Sequence, residues 1–159
     1  MKKVLHVGCG PKGLAMPVEF AAYKEIRVDC DPGVEPDILA SVIAMPMVDS
    51  NSVEAVYASH ILEHLYAHEV NQALTEFCRV LRPGGMFSMR TPDLQSVTGR
   101  VAMDEADAVV YQSGLGPVTA LDMIYGMRSM VAAGNSFMAH KTGFTKKTLE
   151  KAKIGRAHV

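Results

Sequence analysis

An α/β fold around a mostly parallel sheet is predicted by three features of the sequence. Short runs of β-branched and apolar residues alternate with longer segments of helical periodicity. The first run, Val4-Leu5-His6-Val7, lacks the alternation of a half-exposed strand, which suits a strand buried on both faces. It leads directly into Gly8-Cys9-Gly10-Pro11-Lys12-Gly13. That G-x-G-x-x-G turn leaves a strand tightly and keeps its backbone open to a polar or anionic ligand.

Composition bounds the class. With 159 residues, 48% hydrophobic and 21% charged, the chain has room for one domain with a real core. A net charge of -1 provides no field for nucleic acid or a membrane surface, and neither is expected as a partner. Cys9, Cys30 and Cys78 lie far apart without a C-x-x-C pair, which points to reduced thiols in a cytoplasmic protein. The opening apolar run is broken by His6, Gly8, Gly10 and Lys12, too early for a secretion signal. No apolar run approaches the ~20 residues of a membrane span. Lys141, Lys146, Lys147, Lys151 and Lys153 read as a solvated helix face.

The elements follow in order. Pro17 limits 14–23 to a short helix at most. A second strand over 25–29 ends in Asp29, and Asp31-Pro32-Gly33 turns the chain. A short third strand is expected over 37–42, then a loop at Met45-Pro46-Met47 and a fourth strand over 53–58. Ser59 is placed to cap a helix opening with His60-Ile61-Leu62-Glu63-His64-Leu65. Val70, Ala73, Leu74, Phe77 and Leu81 form one apolar stripe, which predicts a helix over 67–81. Arg82-Pro83-Gly84-Gly85 ends it, and 86–90 reads as a fifth strand. Beyond it, 93–110 is expected to be helical in part, 114–117 a loop, and 121–133 a segment whose Met123, Met127 and Met130 pack adaptably. Thr145 is placed to cap a last helix.

Two sets of residues carry candidate chemistry. Asp29 lies 19 positions after Gly10, near the ~20-residue spacing at which a strand-end acid reaches ribose hydroxyls. A carboxylate only accepts hydrogen bonds, which suits a vicinal diol. His60, Glu63 and His64 fall on one face of the expected helix, just past the fourth strand. A local cluster of this kind rarely completes a metal shell, so Glu63 and His64 are expected to pack and cap the helix, with no metal.

Taken together, Val7-Gly8-Cys9-Gly10, Val28-Asp29-Cys30-Asp31-Pro32, Ala55-Val56-Tyr57-Ala58-Ser59-His60, Leu62-Glu63-His64-Leu65 and Arg79-Val80-Leu81-Arg82-Pro83-Gly84-Gly85 resemble the class I S-adenosylmethionine-dependent methyltransferases of the small-molecule subgroup. The resemblance spans roughly residues 3–91 and implies a Rossmann-like domain with S-adenosyl-L-methionine as cofactor. It also implies site roles. Gly8, Cys9 and Gly10 line the cofactor's methionine portion, Asp29 holds the ribose and Cys30 touches the adenine. Ser41 and Val42 stand where many relatives carry an adenine-binding acid, and Ser59 faces the sulfonium region. The chemistry is mostly positioning of a small-molecule acceptor behind the methyl group. His60 is the candidate to deprotonate or place that acceptor. The run His60 to His64 also looks similar to the E-x-x-E-H that binds a divalent metal in some ubiquinone-pathway O-methyltransferases, with His60 in place of the first glutamate.

Two other readings stay open. The glycine turn with a strand-end acid also fits a nicotinamide oxidoreductase, although the Leu62–Leu65 and Arg82–Gly85 runs are not part of that pattern. A non-catalytic module of the same fold would keep the motifs without turnover. Residues 1–153 are expected to form one domain lacking the last two of the seven strands that the resemblance implies. Ile154-Gly155-Arg156-Ala157-His158-Val159 reads as a non-native tail: ATC GGA AGA GCA CAC GTC would encode it, and that string resembles a sequencing adapter.

Overall fold

A computed structural model of the chain describes residues 1–114 and 116–154, the side chains of 153 and 154 excepted. Five parallel strands form the central sheet: β1 (Lys3–Val7), β2 (Lys24–Asp29), β3 (Ile38–Leu39), β4 (Val53–Ser59) and β5 (Leu81–Arg90). Their order is β3-β2-β1-β4-β5. The chain therefore steps outward from β1 to β3 and returns to the other side of β1. That reversal opens a crevice at the carboxyl ends of β1 and β4, the place where open α/β sheets hold ligands.

Both faces of β1 are covered, as its lack of alternation implies. Leu5 and Val7 point into the larger core with Val28, Val56, Ala58 and Leu74, while Val4 joins Phe20, Ala55 and Tyr57 on the other face. Helix α1 (Ala67–Val80) covers the first face through Val70, Ala73, Leu74, Phe77 and Val80. The second face is covered by a segment with only a one-turn 3-10 helix, Val18–Phe20, which starts directly after Pro17. Proline's fixed φ is tolerated at that boundary and nowhere deeper.

Several boundaries move from the sequence expectation. β3 shrinks to two residues because the Asp37 carboxylate takes the Arg27 N–H at 2.8 Å and a turn from Ser41 to Ala44 pulls the chain off the sheet. Helix α1 stops at Val80, and the Pro-Gly-Gly segment lies inside β5 rather than ahead of it. Val53 pairs with Leu81 but Ala55 pairs with Met86, so Arg82-Pro83-Gly84-Gly85 forms a wide bulge. A Cβ on Gly85 would lie 2.8 Å from the Arg82 carbonyl oxygen, and only glycine fits that fold-back.

The second half holds α2 (Leu94–Ala102), an antiparallel hairpin of β6 (Val109–Ser113) and β7 (Gly116–Thr119), α3 (Ala120–Tyr125), α4 (Arg128–Ala132) and α5 (Lys146–Ile154). The hairpin corrects the expected loop at 114–117. Its signal is a β-branched and aromatic run, Val109-Val110-Tyr111, followed by glycines at 114 and 116. Thr145 caps α5 as expected, its hydroxyl accepting from the Thr148 N–H at 3.3 Å. Lys141, Lys146, Lys147 and Lys151 are exposed, in keeping with a solvated face. Among the described residues no strand pairs with the outer edge of β5. Ile154 is the last residue of α5, and the rest of the expected tail, 155–159, lies outside the described residues.

Candidate active site

The crevice begins at the glycine turn. Gly8 adopts φ +63°, and a Cβ there would lie 2.5 Å from Ile61 Cδ1. Both facts exclude any side chain: the left-handed backbone and the close approach of the segment after β4. Gly10 is also left-handed, at φ +59°.

Strand β2 holds this turn from beneath. Arg27 and Asp29 sit two residues apart, so both project from the same face of the strand. The Asp29 Oδ2 accepts from the Gly10 N–H at 3.0 Å, and the Arg27 guanidinium donates to the Gly10 carbonyl at 2.5 Å. Arg27 also donates to the carbonyls of Glu35 and Val34, at 2.7 and 3.0 Å. It is buried and clamps the glycine turn to the loop before β3. The sequence reading missed Arg27, because an arginine in a strand has no local signature of burial.

Asp29 accepts two further bonds, from the Asp31 N–H to Oδ1 at 3.0 Å and from the Cys9 thiol to Oδ2 at 3.9 Å. A carboxylate offers about four lone-pair sites, so this half-buried group retains capacity for one hydroxyl donor at Oδ1, and for a second where the weak thiol bond gives way. Cys9 is buried beside it, and burial pushes its thiol up to about 11. Cys30 is exposed. Ser41 is exposed at the start of its turn, whereas the Val42 side chain belongs to the core. Ser59 is half-buried at the end of β4.

The loop carrying Ser41 and Val42 is fixed by α1. Arg79 donates to the carbonyls of Met45 at 2.9 Å and Val48 at 2.8 Å, while Glu76 accepts from the Met45 N–H at 2.8 Å. Arg82 pairs with Glu54. The Arg79–Gly85 run thus has an architectural task, anchoring the loop that borders the crevice and shaping the bulge of β5.

The segment after β4 departs from the expected helix. Ser59 caps nothing: the helix shrinks to one 3-10 turn, Leu62–His64, preceded by Ile61 with no side-chain cap. His60 lies outside it at φ +54°, left-handed for a residue with a Cβ. Such strain costs about 1–3 kcal/mol and gathers at functional sites. Two bonds hold it, the His60 N–H to the Arg90 carbonyl at 2.9 Å and its Nδ1 to Glu63 Oε1 at 3.1 Å. The half-exposed His60 ring and the Glu63 carboxylate therefore meet as the spacing suggested, though not on a helix face.

Glu63 is 1% exposed and is the most deeply buried charged residue among those described. Burial pushes its pKa up. The His60 hydrogen bond, its own backbone N–H and the nearby His60 and His64 imidazoles outweigh that and hold it below the usual carboxylate range. Its other oxygen accepts from Thr91 at 3.1 Å. Glu63 also lines a cavity of about 240 Å³ past the ends of β4 and β5, together with Thr91, Met123, Ile124, Tyr125 and His140. His140 was missed by the sequence reading, since it comes from the far segment and no spacing links it to β4.

A family model described as "Methyltransferase domain" matches residues 5–89, and the chain belongs to that family. A Mycolicibacterium smegmatis protein described as "Probable S-adenosylmethionine-dependent methyltransferase" is 30% identical over 102 residues, covering 58% of this chain and 38% of the relative. A SAM-dependent methyltransferase structure from Archaeoglobus fulgidus has a TM-score of 0.58 at 14% identity, over 95% of this chain and 58% of that one. A Pyrococcus horikoshii OT3 protein structure has a TM-score of 0.63 at 20% identity, over 96% of this chain and 71% of that one. These likenesses define a class I methyltransferase fold. The chain spans well under half the length of the curated relative that it matches.

Proposed function

We propose that this protein transfers a methyl group from S-adenosyl-L-methionine to a small-molecule acceptor. The observation that carries the reading is the lock between Asp29 and Gly10, a strand-end carboxylate with spare acceptor sites bonded to a left-handed glycine turn at the sheet's reversal point. When bound, the cofactor supplies a methyl group on a sulfonium that carries its own leaving group. The turn of Gly8, Cys9 and Gly10 would border its amino-acid portion, Asp29 would accept from its ribose, and Cys30, Ser41 and Val42 would border its adenine. Ser59 ends the strand that faces the reacting region.

The residues of this chain do the rest by placement. The cavity beside Glu63 gives a small acceptor a largely apolar seat. His60, held by Glu63, is the group to orient the acceptor or take its proton. A cytoplasmic setting fits the three free cysteines, and among the described residues no helix is long and apolar enough to cross a membrane.

Calorimetry with S-adenosylhomocysteine tests the cofactor. Binding is expected, and Asp29→Ala should weaken it by about 1.5–3 kcal/mol, the range of a hydrogen bond to a charged group. Binding of NADH in place of S-adenosylhomocysteine would support the oxidoreductase reading instead. A screen of small-molecule acceptors with labelled S-adenosylmethionine then tests transfer, and no product with any acceptor would favour the non-catalytic module. With an acceptor in hand, His60→Ala should lower kcat far more than cofactor affinity.

A further inference from the structure

We infer that Glu63, His64 and His140 form a binding site for one divalent transition-metal ion of the Zn²⁺ type. The local run His60-Glu63-His64 does not by itself complete a metal shell. The tertiary structure replaces His60 with a residue from the far segment. One ligand atom from each of Glu63, His64 and His140 lies within 4.8 Å of the other two. Donors around tetrahedral Zn²⁺ sit about 3.4 Å apart, so side-chain rotations closing the widest gap by at most about 1.4 Å complete the set.

Hydrogen bonds set which nitrogens of the imidazoles are free. His64 Nδ1 lies 3.1 Å from the Ala139 carbonyl oxygen, and His140 Nδ1 lies 2.9 Å from the Met123 carbonyl oxygen. A carbonyl can only accept, so both Nδ1 atoms carry the proton and both Nε2 atoms present lone pairs. Imidazoles that ligate metals are oriented in the same way, through the second nitrogen donating to a carbonyl or carboxylate. The two rings meet edge to face with centroids 4.7 Å apart, which brings them together without stacking.

The backbone fixes the third donor against the second. The Glu63 carbonyl accepts from the Lys141 N–H at 2.8 Å and the Thr142 N–H at 3.2 Å, and the His140 N–H donates to the Tyr125 carbonyl at 3.1 Å. Gly126 permits this: a Cβ there would lie 1.9 Å from the Met138 carbonyl oxygen. Glu63 provides the charge. Among the described residues its ion-pair partner is His60, with no lysine or arginine paired to it. A carboxylate this deeply buried needs a counter-charge. Two imidazoles and one carboxylate suit Zn²⁺ rather than Mg²⁺ or Ca²⁺, which favour all-oxygen shells. Three protein ligands leave a position for water or for a small molecule in the cavity that Glu63 and His140 line.

This site does not depend on methyl transfer, and its test uses metal alone. The full chain is stripped with chelator and titrated with Zn²⁺ by calorimetry, and with Co²⁺ by visible absorption. The expected result is one Zn²⁺ per chain and a four-coordinate Co²⁺ spectrum. His140→Gln and His64→Gln, with circular dichroism unchanged, should each weaken Zn²⁺ binding at least tenfold. His68→Gln, at an exposed surface histidine, should leave it unchanged. Zn²⁺ binding that is equal in wild type and His140→Gln would overturn the site, as would binding of Mg²⁺ in preference to Zn²⁺ or no binding at all.

Discussion

At the scale of single residues, the site rests on a few backbone positions that tolerate one amino acid. Gly8 is the sharpest, since its φ and the Ile61 side chain both oppose a Cβ. Gly8→Ala should lose about 1–2 kcal/mol from the backbone alone, with more from the clash. Chemical denaturation of Gly8→Ala, Ile61→Ala and the double variant separates the two parts. Removing Ile61 should relieve the clash, so the double variant should lose less than the sum of the singles. Strict additivity would mean that Ile61 does not press on Gly8. Cys9 shows the opposite case, a residue predicted at the site whose side chain is buried against Asp29 and whose N–H donates to the Val28 carbonyl.

At the scale of elements, the region after β5 is held by polar pairs more than by apolar core. The Asp122 carboxylate closes a capping box with Thr119 at the start of α3 and accepts from the Arg128 Nε at 2.9 Å. Burial would raise its pKa. The bonds from the Thr119 side chain and backbone, followed by those from Arg128, outweigh burial and bring it to about 2. A depressed carboxylate stabilises the fold above its unfolded pKa near 3.8, and that contribution is lost as pH falls toward about 2. The full shift would correspond to more, but solvent screening at this edge position reduces it to about 1–2 kcal/mol. Asp122→Asn should thus destabilise the protein at pH 7 by that amount and not at pH 2. Urea titrations at the two values measure this, and an equal loss at both would assign Asp122 a packing role.

At the scale of the whole molecule, the crevice joins segments that are distant in the chain. The glycine turn, the end of β2, the loop pinned by Arg79 and the turn after β4 all border it. A ligand that binds only this assembled crevice stabilises everything that forms it. With S-adenosylhomocysteine at 100 times its Kd, the gain is about 2.7 kcal/mol. For a domain of this size that raises Tm by about 5–10 °C, read by scanning calorimetry with and without the ligand. An unchanged Tm at saturating ligand would show that the ligand binds the unfolded chain equally well or binds nothing.

The sequence alone determined the sheet's first half and its glycine turn, because these are local. Mostly apolar runs without alternation specify strands covered on both sides, the 3.6-residue stripe specifies α1, and Pro17 ends any long helix before it starts. It also paired Asp29 with the glycine turn, since a strand and its connection set their spacing. Where side-chain hydrogen bonds compete with the backbone ladder, local pattern failed: Asp37 shortens β3, and the fold-back at Gly85 draws Arg82-Pro83-Gly84-Gly85 into β5. The hairpin at 109–119 was legible in its β-branched run and glycines but was overlooked. Only the tertiary structure decided which polar residues meet. Arg27 reaches Gly10 because β2 pairs in register beside β1, and His140 reaches Glu63 and His64 because Gly126 lets two backbones touch. Contacts between residues that far apart depend on how the elements pack, and no spacing along the chain encodes that.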